Sequence, residues 1–97
     1  MKQLIIKLEL KPDLSEREIS QAEDFARTVL ASEPELEILD SERAEKRGLA
    51  DGGLTVVFLV KASATFIGGL GALELSKYFD RKFKRNEIQK VVTKEEG

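Results

Sequence analysis

The sequence predicts a small α+β domain, a two-layer sandwich with its helices packed on one face of a short sheet. Three observations predict it. Apolar residues alternate at period two across residues 2–10, and they recur at helical spacing across 19–30. Strand-like and helix-like stretches also interleave along the chain. At 97 residues there is room for one domain, read as 1–97. It holds one modest core, because a chain this short buries only somewhat over ~60% of its unfolded surface.

In the opening stretch KQLIIKLEL, the set Leu4, Ile6, Leu8 and Leu10 brackets Lys7 and Glu9. That is the pattern of a half-buried strand. Lys11-Pro12-Asp13 ends it, since proline has no N–H to donate to a ladder. A helix follows. Ser15 caps it, Glu18 completes a capping box, and Leu14 can staple onto Ile19. Ile19, Ala22, Ala26, Val29 and Leu30 share one face. Glu16, Glu18, Glu23 and Asp24 put negative charge where the helix dipole favours it. The helix is expected to stop near Ala31 or Ser32, ahead of Pro34.

Leu36, Ile38 and Leu39 predict a second strand over about 35–41. The charged stretch 42–53 reads as a connection, with Gly48, Gly52 and Gly53 as breakers. LTVVFLV at 54–60 has the β-branched content of a buried strand, but it is too short for periodicity to exclude a helix. A long helix over 64–83 and a final strand over 87–93 complete the order: strand, helix, strand, strand or helix, helix, strand.

The second helix sets the functional expectation. Phe66, Leu70 and Leu73 form one stripe, with Ile67 and Tyr78 beside it and Leu75, Phe79 and Phe83 on the far side. No charge occurs from Ala64 to Leu73. A helix apolar all round is expected only where protein or lipid surrounds it, and a domain of this length covers roughly half of one. Each glycine inside a helix costs about 0.5–1 kcal/mol relative to alanine, and close approach of a second helix is the common compensation. The expected partner interface is therefore Phe66, Ile67, Gly68, Gly69, Leu70, Gly71 and Leu73, taken by a second copy in a homo-oligomer or by an effector protein. On this reading Gly69→Leu disrupts assembly more than folding. Two alternatives stand beside it. Residues 54–60 can fold over the helix and close the core, or the apolar run 54–75 can anchor in a membrane. About 20 apolar residues span a bilayer, and the run is followed by basic residues as the positive-inside rule requires. Lys61, Thr55, Ser63 and Thr65 oppose the membrane alternative.

Lys77, Arg81, Lys82, Lys84 and Arg85 interleave with Tyr78, Phe79 and Phe83. They are candidate anion contacts, and they support a small-ligand or nucleotide sensor as the alternative function. The competing account is an amphipathic helix end, with cations complementing the dipole and Phe79 and Phe83 packing inward. Gly68-Gly69-Leu70-Gly71 lacks the dinucleotide-binding spacing and the Walker lysine. Glu33, Glu35, Glu37, Asp40 and Glu42 lack EF-hand spacing and read as a solvated strand edge that discourages edge pairing.

The formal charge of −2 gives no reason to expect nucleic acid. It is unevenly spread: residues 1–53 carry 8 basic and 13 acidic side chains, residues 54–97 carry 8 and 5. The chain has no Cys, His or Trp. That excludes a disulfide framework and a thiolate metal site, and leaves hydroxyl nucleophiles without an imidazole base. The expectation is a protein that is not an enzyme, with no metal and no cofactor. Met1-Lys2 leads directly into the first strand, too short and too charged for a signal peptide, so the expected compartment is the cytoplasm.

Set in order, Pro34-Glu-Leu-Glu-Ile-Leu39, Gly48-Leu-Ala-Asp51 and Leu54-Thr-Val-Val57, then a small-residue-rich helix ending in aromatics and arginine, resemble the effector-associated constant component domains of bacterial conflict systems. The likeness covers most of the chain. Where that family tends to have a Gly-rich turn and a Trp, this chain has Lys61-Ala62-Ser63-Ala64 and Tyr78-Phe79. The resemblance implies an accessory adaptor domain beside an effector, with no catalytic residues to carry over.

Overall fold

In the computed structural model, residues 2–45, 54–69 and 72–96 are described. The elements run β1 (Lys2–Leu10), α1 (Glu16–Ala31), β2 (Leu36–Glu45), β3 (Leu54–Ala62), α2 (Ala64–Gly68), α3 (Ala72–Lys82) and β4 (Ile88–Glu96). The four strands form one antiparallel sheet in the order β2-β3-β1-β4. Each of its two β-α-β units is split by a strand of the other, which is the ferredoxin-like arrangement. It is the two-layer α+β sandwich that the sequence predicts.

Local chemistry explains the first half. Ser15 Oγ accepts the Glu18 N–H at 3.2 Å, and Glu18 Oε1 accepts the Ser15 N–H at 3.0 Å. This is the predicted capping box, which satisfies two donors that a helix start leaves over. Asp13 takes a positive φ of 64° in the turn before it, a conformation that Asp tolerates better than most residues. Ala22, Ala26 and Leu30 bury one face of α1 against Leu4, Ile6, Leu8 and Leu10 of β1. Leu75 and Phe79 of α3, and Phe83 just after it, enter the same cluster, so the helices lie on one side of the sheet.

One open reading is resolved and three sequence expectations need correction. Residues 54–60, ambiguous by pattern, belong to a strand, with Val56, Phe58, Val60 and Ala62 buried alternately. Being central in the sheet, β3 does not join 64–75 in one helix, so no continuous helical span forms over 54–75. Among the described residues no helix is long and apolar enough to cross a membrane. The helix expected over 64–83 is two helices, α2 and α3. Gly68 ends the first, consistent with glycine's low helix propensity. β2 runs on through Glu45 by pairing with β3, although its last residues carry no apolar alternation. A bulge between Ile38 and Asp40 leaves Leu39 42% exposed at the edge. β4 likewise reaches Glu96, opposite Gln3.

Tyr78 ties α3 to the α1–β2 turn by donating its hydroxyl to Glu33 Oε2 at 2.9 Å. Burial, and then that hydrogen bond to a carboxylate, push its phenol above the ordinary value near 10. Because the neutral phenol is favoured in the fold, its contribution to stability is complete below about pH 10 and is lost as pH rises through the folded value. The chain has one Tyr and no Trp, so phenolate absorbance reports this group alone. The native midpoint should exceed the denatured one, and Glu33→Gln should return it only part of the way. Coincident native and denatured titrations would contradict the burial of this phenol.

Candidate functional site

The helix surface expected to meet a partner is in part the protein's own interior. Phe66 is only 8% exposed, with its ring edge-on to Tyr78 at 5.6 Å and tilted against Phe79 at 6.2 Å. The two glycines described have room beside them within this chain. A Cβ on Gly68 would meet nothing within 4 Å, and one on Gly69 would meet the Thr65 carbonyl of its own turn at 3.3 Å. Among the described residues, no other helix of this chain comes within 4 Å of either position. Gly69→Leu is therefore expected to add local strain at its own turn. Gly68→Ala should raise stability by about 0.5–1 kcal/mol in chemical denaturation, by restricting the unfolded chain at no steric cost. Leu70 and Gly71 and the side chains of Ile67 and Leu73 lie outside the described residues.

The five candidate anion contacts are divided. Arg81, Lys84 and Arg85 join Lys11 and Lys90 around a groove of about 410 Å³ at the end of α3, with Asp80 and Asn86 also in its wall. Lys77 is not in that wall, and neither is Lys82, whose ammonium lies 5.5 Å from the Tyr78 ring centre. Lys11 and Lys90 come from β1's exit and from β4, so only the tertiary structure reveals them. Arg85 is held by Glu87, Nε to Oε1 at 2.7 Å, and lies 5.1 Å from the Phe25 ring centre. The bond to Arg85 keeps the Glu87 carboxyl below the usual carboxylate range. The groove adjoins the C-terminal end of α3, whose partial negative charge opposes an anion and suits these cations.

A further surface emerges only from the strand register. Leu4, Ile6 and Leu8 pair with Val60, Phe58 and Val56 on the helix-covered side. Their neighbours Ile5, Lys7 and Glu9 pair with Leu59, Val57 and Thr55 on the other. Across β1 the same face continues to Lys94, Val92 and Lys90, and across β3 to Asp40, Glu42 and Ala44. No helix among the described residues packs on this face. Near its centre are Ile5, Val57, Leu59 and Val92, each partly exposed, with Lys7 standing between Val57 and Val92. Ile5, Val57 and Leu59 share a shallow depression of about 210 Å³ with Asp40 and Glu42. Lys7, Glu9 and Lys61 stand on the two central strands of this face, and the edge strands differ in sign. Glu37, Asp40 and Glu42 lie along β2 at one edge, and Lys90 and Lys94 lie along β4 at the other, with Glu96 at that strand's end.

On the covered side, Arg43 of β2 donates to Glu16, Ser20 and Glu23 of α1, with its Nε 2.8 Å from Glu23 Oε1. Arg27 donates to Ser41 at 3.0 Å. These bonds fasten the acidic edge strand to the helix layer, so its carboxylates on the open face are carried by a positioned strand. Among the described residues no group of three or more acidic side chains is arranged to hold a metal ion.

No protein-family model matches this chain, and no curated protein matches it. Among solved structures it is similar to a dimeric ferredoxin-like protein of unknown function from Thermobifida fusca YX, at 16% identity and a TM-score of 0.46, over 98% of this chain and 89% of that one.

Proposed function

We propose that this chain is a non-catalytic protein-interaction domain that docks through the open face of its sheet. The observation that carries the reading is the strip of Ile5, Val57, Leu59 and Val92 at the centre of a face no described helix covers. An antiparallel sheet with one solvated face ordinarily turns polar residues outward. Clustered apolar side chains rimmed by charge are instead the composition of a docking site. The accessory role implied by the resemblance to effector-associated constant component domains agrees with it. On that reading the chain is a cytoplasmic adaptor in a bacterial conflict system, and the docking surface is this face in place of the Phe66–Leu73 segment.

A photo-cross-linking residue at position 57 or 92 should capture a protein neighbour in cells, and one at Gln21, exposed on α1, should not. Capture from Gln21 with none from 57 or 92 would sink the reading.

A second reading, a small-anion or nucleotide sensor, is favoured by the convergence of Lys11, Arg81, Lys84, Arg85 and Lys90 on one groove. A bound ligand stabilises the fold by mass action. Millimolar ATP or phosphate should then raise the melting temperature, and Arg81→Ala should remove the rise. No shift with either would leave these cations as partners of the helix end.

A further inference from the structure

We infer that the occupant of the open face is a second copy of this chain, stacked sheet on sheet about a two-fold axis parallel to the strands. The inference rests on the docking reading and adds the partner and its orientation. Two identical faces can stack with their strands aligned in two ways. With the axis along the strands, between β1 and β3, each β2 lies over the partner's β4, and each β3 over the partner's β1. With the axis across the strands, β2 lies over β2 and β4 over β4.

The charge pattern distinguishes the two. An axis across the strands sets Glu37, Asp40 and Glu42 against their own copies, and Lys90 and Lys94 against theirs. An axis along the strands keeps each residue at its own level, so Asp40 lies over Lys94 of the second copy with Glu42 one step along, twice, as an isologous interface repeats every contact; only at the strand ends does Glu37 fall level with position 96. The apolar residues agree. Leu59 and Ile5 are direct cross-strand partners, so exchanging β3 and β1 places each over the other's copy. Leu59 then meets Ile5 on both sides of the axis, and the Lys7 stem can lie along Val57 with its ammonium at the rim. Stacked sheets keep their strands within about 30° of one another, about 10 Å apart, which is the spacing these side chains fill.

The size is adequate but small. Four strands at about 4.8 Å spacing, and about eight paired residues at 3.4 Å, make a face of roughly 500 Å² in projection. That places the dimer at the lower end of specific interfaces. The association should therefore depend on concentration and weaken with salt.

Sedimentation of the purified chain tests this. The unaltered protein should be dimeric at low salt and dissociate on dilution. Asp40→Lys with Glu42→Lys makes both edges basic, and Lys90→Glu with Lys94→Glu makes both acidic. Each double variant should dimerise at least tenfold more weakly, with its circular dichroism retained. An equimolar mixture of the two should recover the dimer, because each basic edge then meets an acidic one. A monomer at roughly millimolar concentration in low salt would overturn the inference. So would a basic variant that self-associates as well as the unaltered chain, the result expected for an axis across the strands. If the pure chain is monomeric while position 57 captures a different protein, the inference falls and the docking reading stands. If positions 57 and 92 capture nothing, the docking reading itself falls.

Discussion

Phe79→Ala should lower the unfolding free energy by about 3–5 kcal/mol, which is a large share of the 5–15 kcal/mol that holds a typical small domain together. Phe79 is 1% exposed. Its ring stacks on Phe83 at 5.8 Å, meets Tyr78 edge-on at 5.2 Å, and lies 6.2 Å from Phe66. Truncation removes the transfer energy of the ring and leaves a cavity. The neighbouring aromatics, on α2, α3 and the turn after it, are held by separate segments and can close that cavity only in part. Urea denaturation should show a lower midpoint at an unchanged slope, as expected when stability changes and the extent of unfolding does not. Phe79→Leu should recover roughly half. A loss under about 1 kcal/mol from Phe79→Ala would mean that α3 is not seated on the sheet as described, since buried aromatic truncations ordinarily cost several times that.

Phe58→Lys and Leu59→Lys, one residue apart on β3, should have opposite consequences. Phe58 is fully buried among the helix-facing side chains. An ammonium there has no carboxylate partner within the apolar cluster, so several kcal/mol of desolvation should unfold the domain or leave it barely stable. Leu59 points to the open face, where a lysine reaches water. The domain should keep its melting temperature to within a few degrees while its association is lost. Thermal melting with sedimentation on both variants checks the pair. If Leu59→Lys melts as low as Phe58→Lys, the face is interior to the chain and the docking reading fails.

How much of this is legible in the sequence differs from element to element. β1 and α1 are readable because their determinants are local. Four apolar residues at period two, and a serine with a glutamate three residues on, act within a few residues of one another. The end of β2 is not readable, because Glu42, Arg43 and Ala44 become strand by pairing with β3 residues distant in sequence. The split of the 64–83 segment has a local cue in its glycines. Those glycines can equally be read as seats for a second helix, since a missing side chain serves a break and a close approach alike. Phe66 looks surplus to a small core in a residue count, but Tyr78 and Phe79 cover it within the same chain.

The open face shows the same division. Ile5, Val57, Leu59 and Val92 stand in three separate strands, each an ordinary residue in its own segment. The sequence by itself determined that this is one α+β domain, where its first strand and helix lie, and which side of β1 faces the core. Those are matters of hydrophobic period and hydrogen-bond capping between near neighbours. Only the tertiary structure decided which strands adjoin, and therefore that four scattered aliphatic residues share one face that no described helix covers, with acid along one edge strand and two lysines along the other. Strand order and register are set by pairing energies between residues far apart in the chain, and no local pattern encodes them.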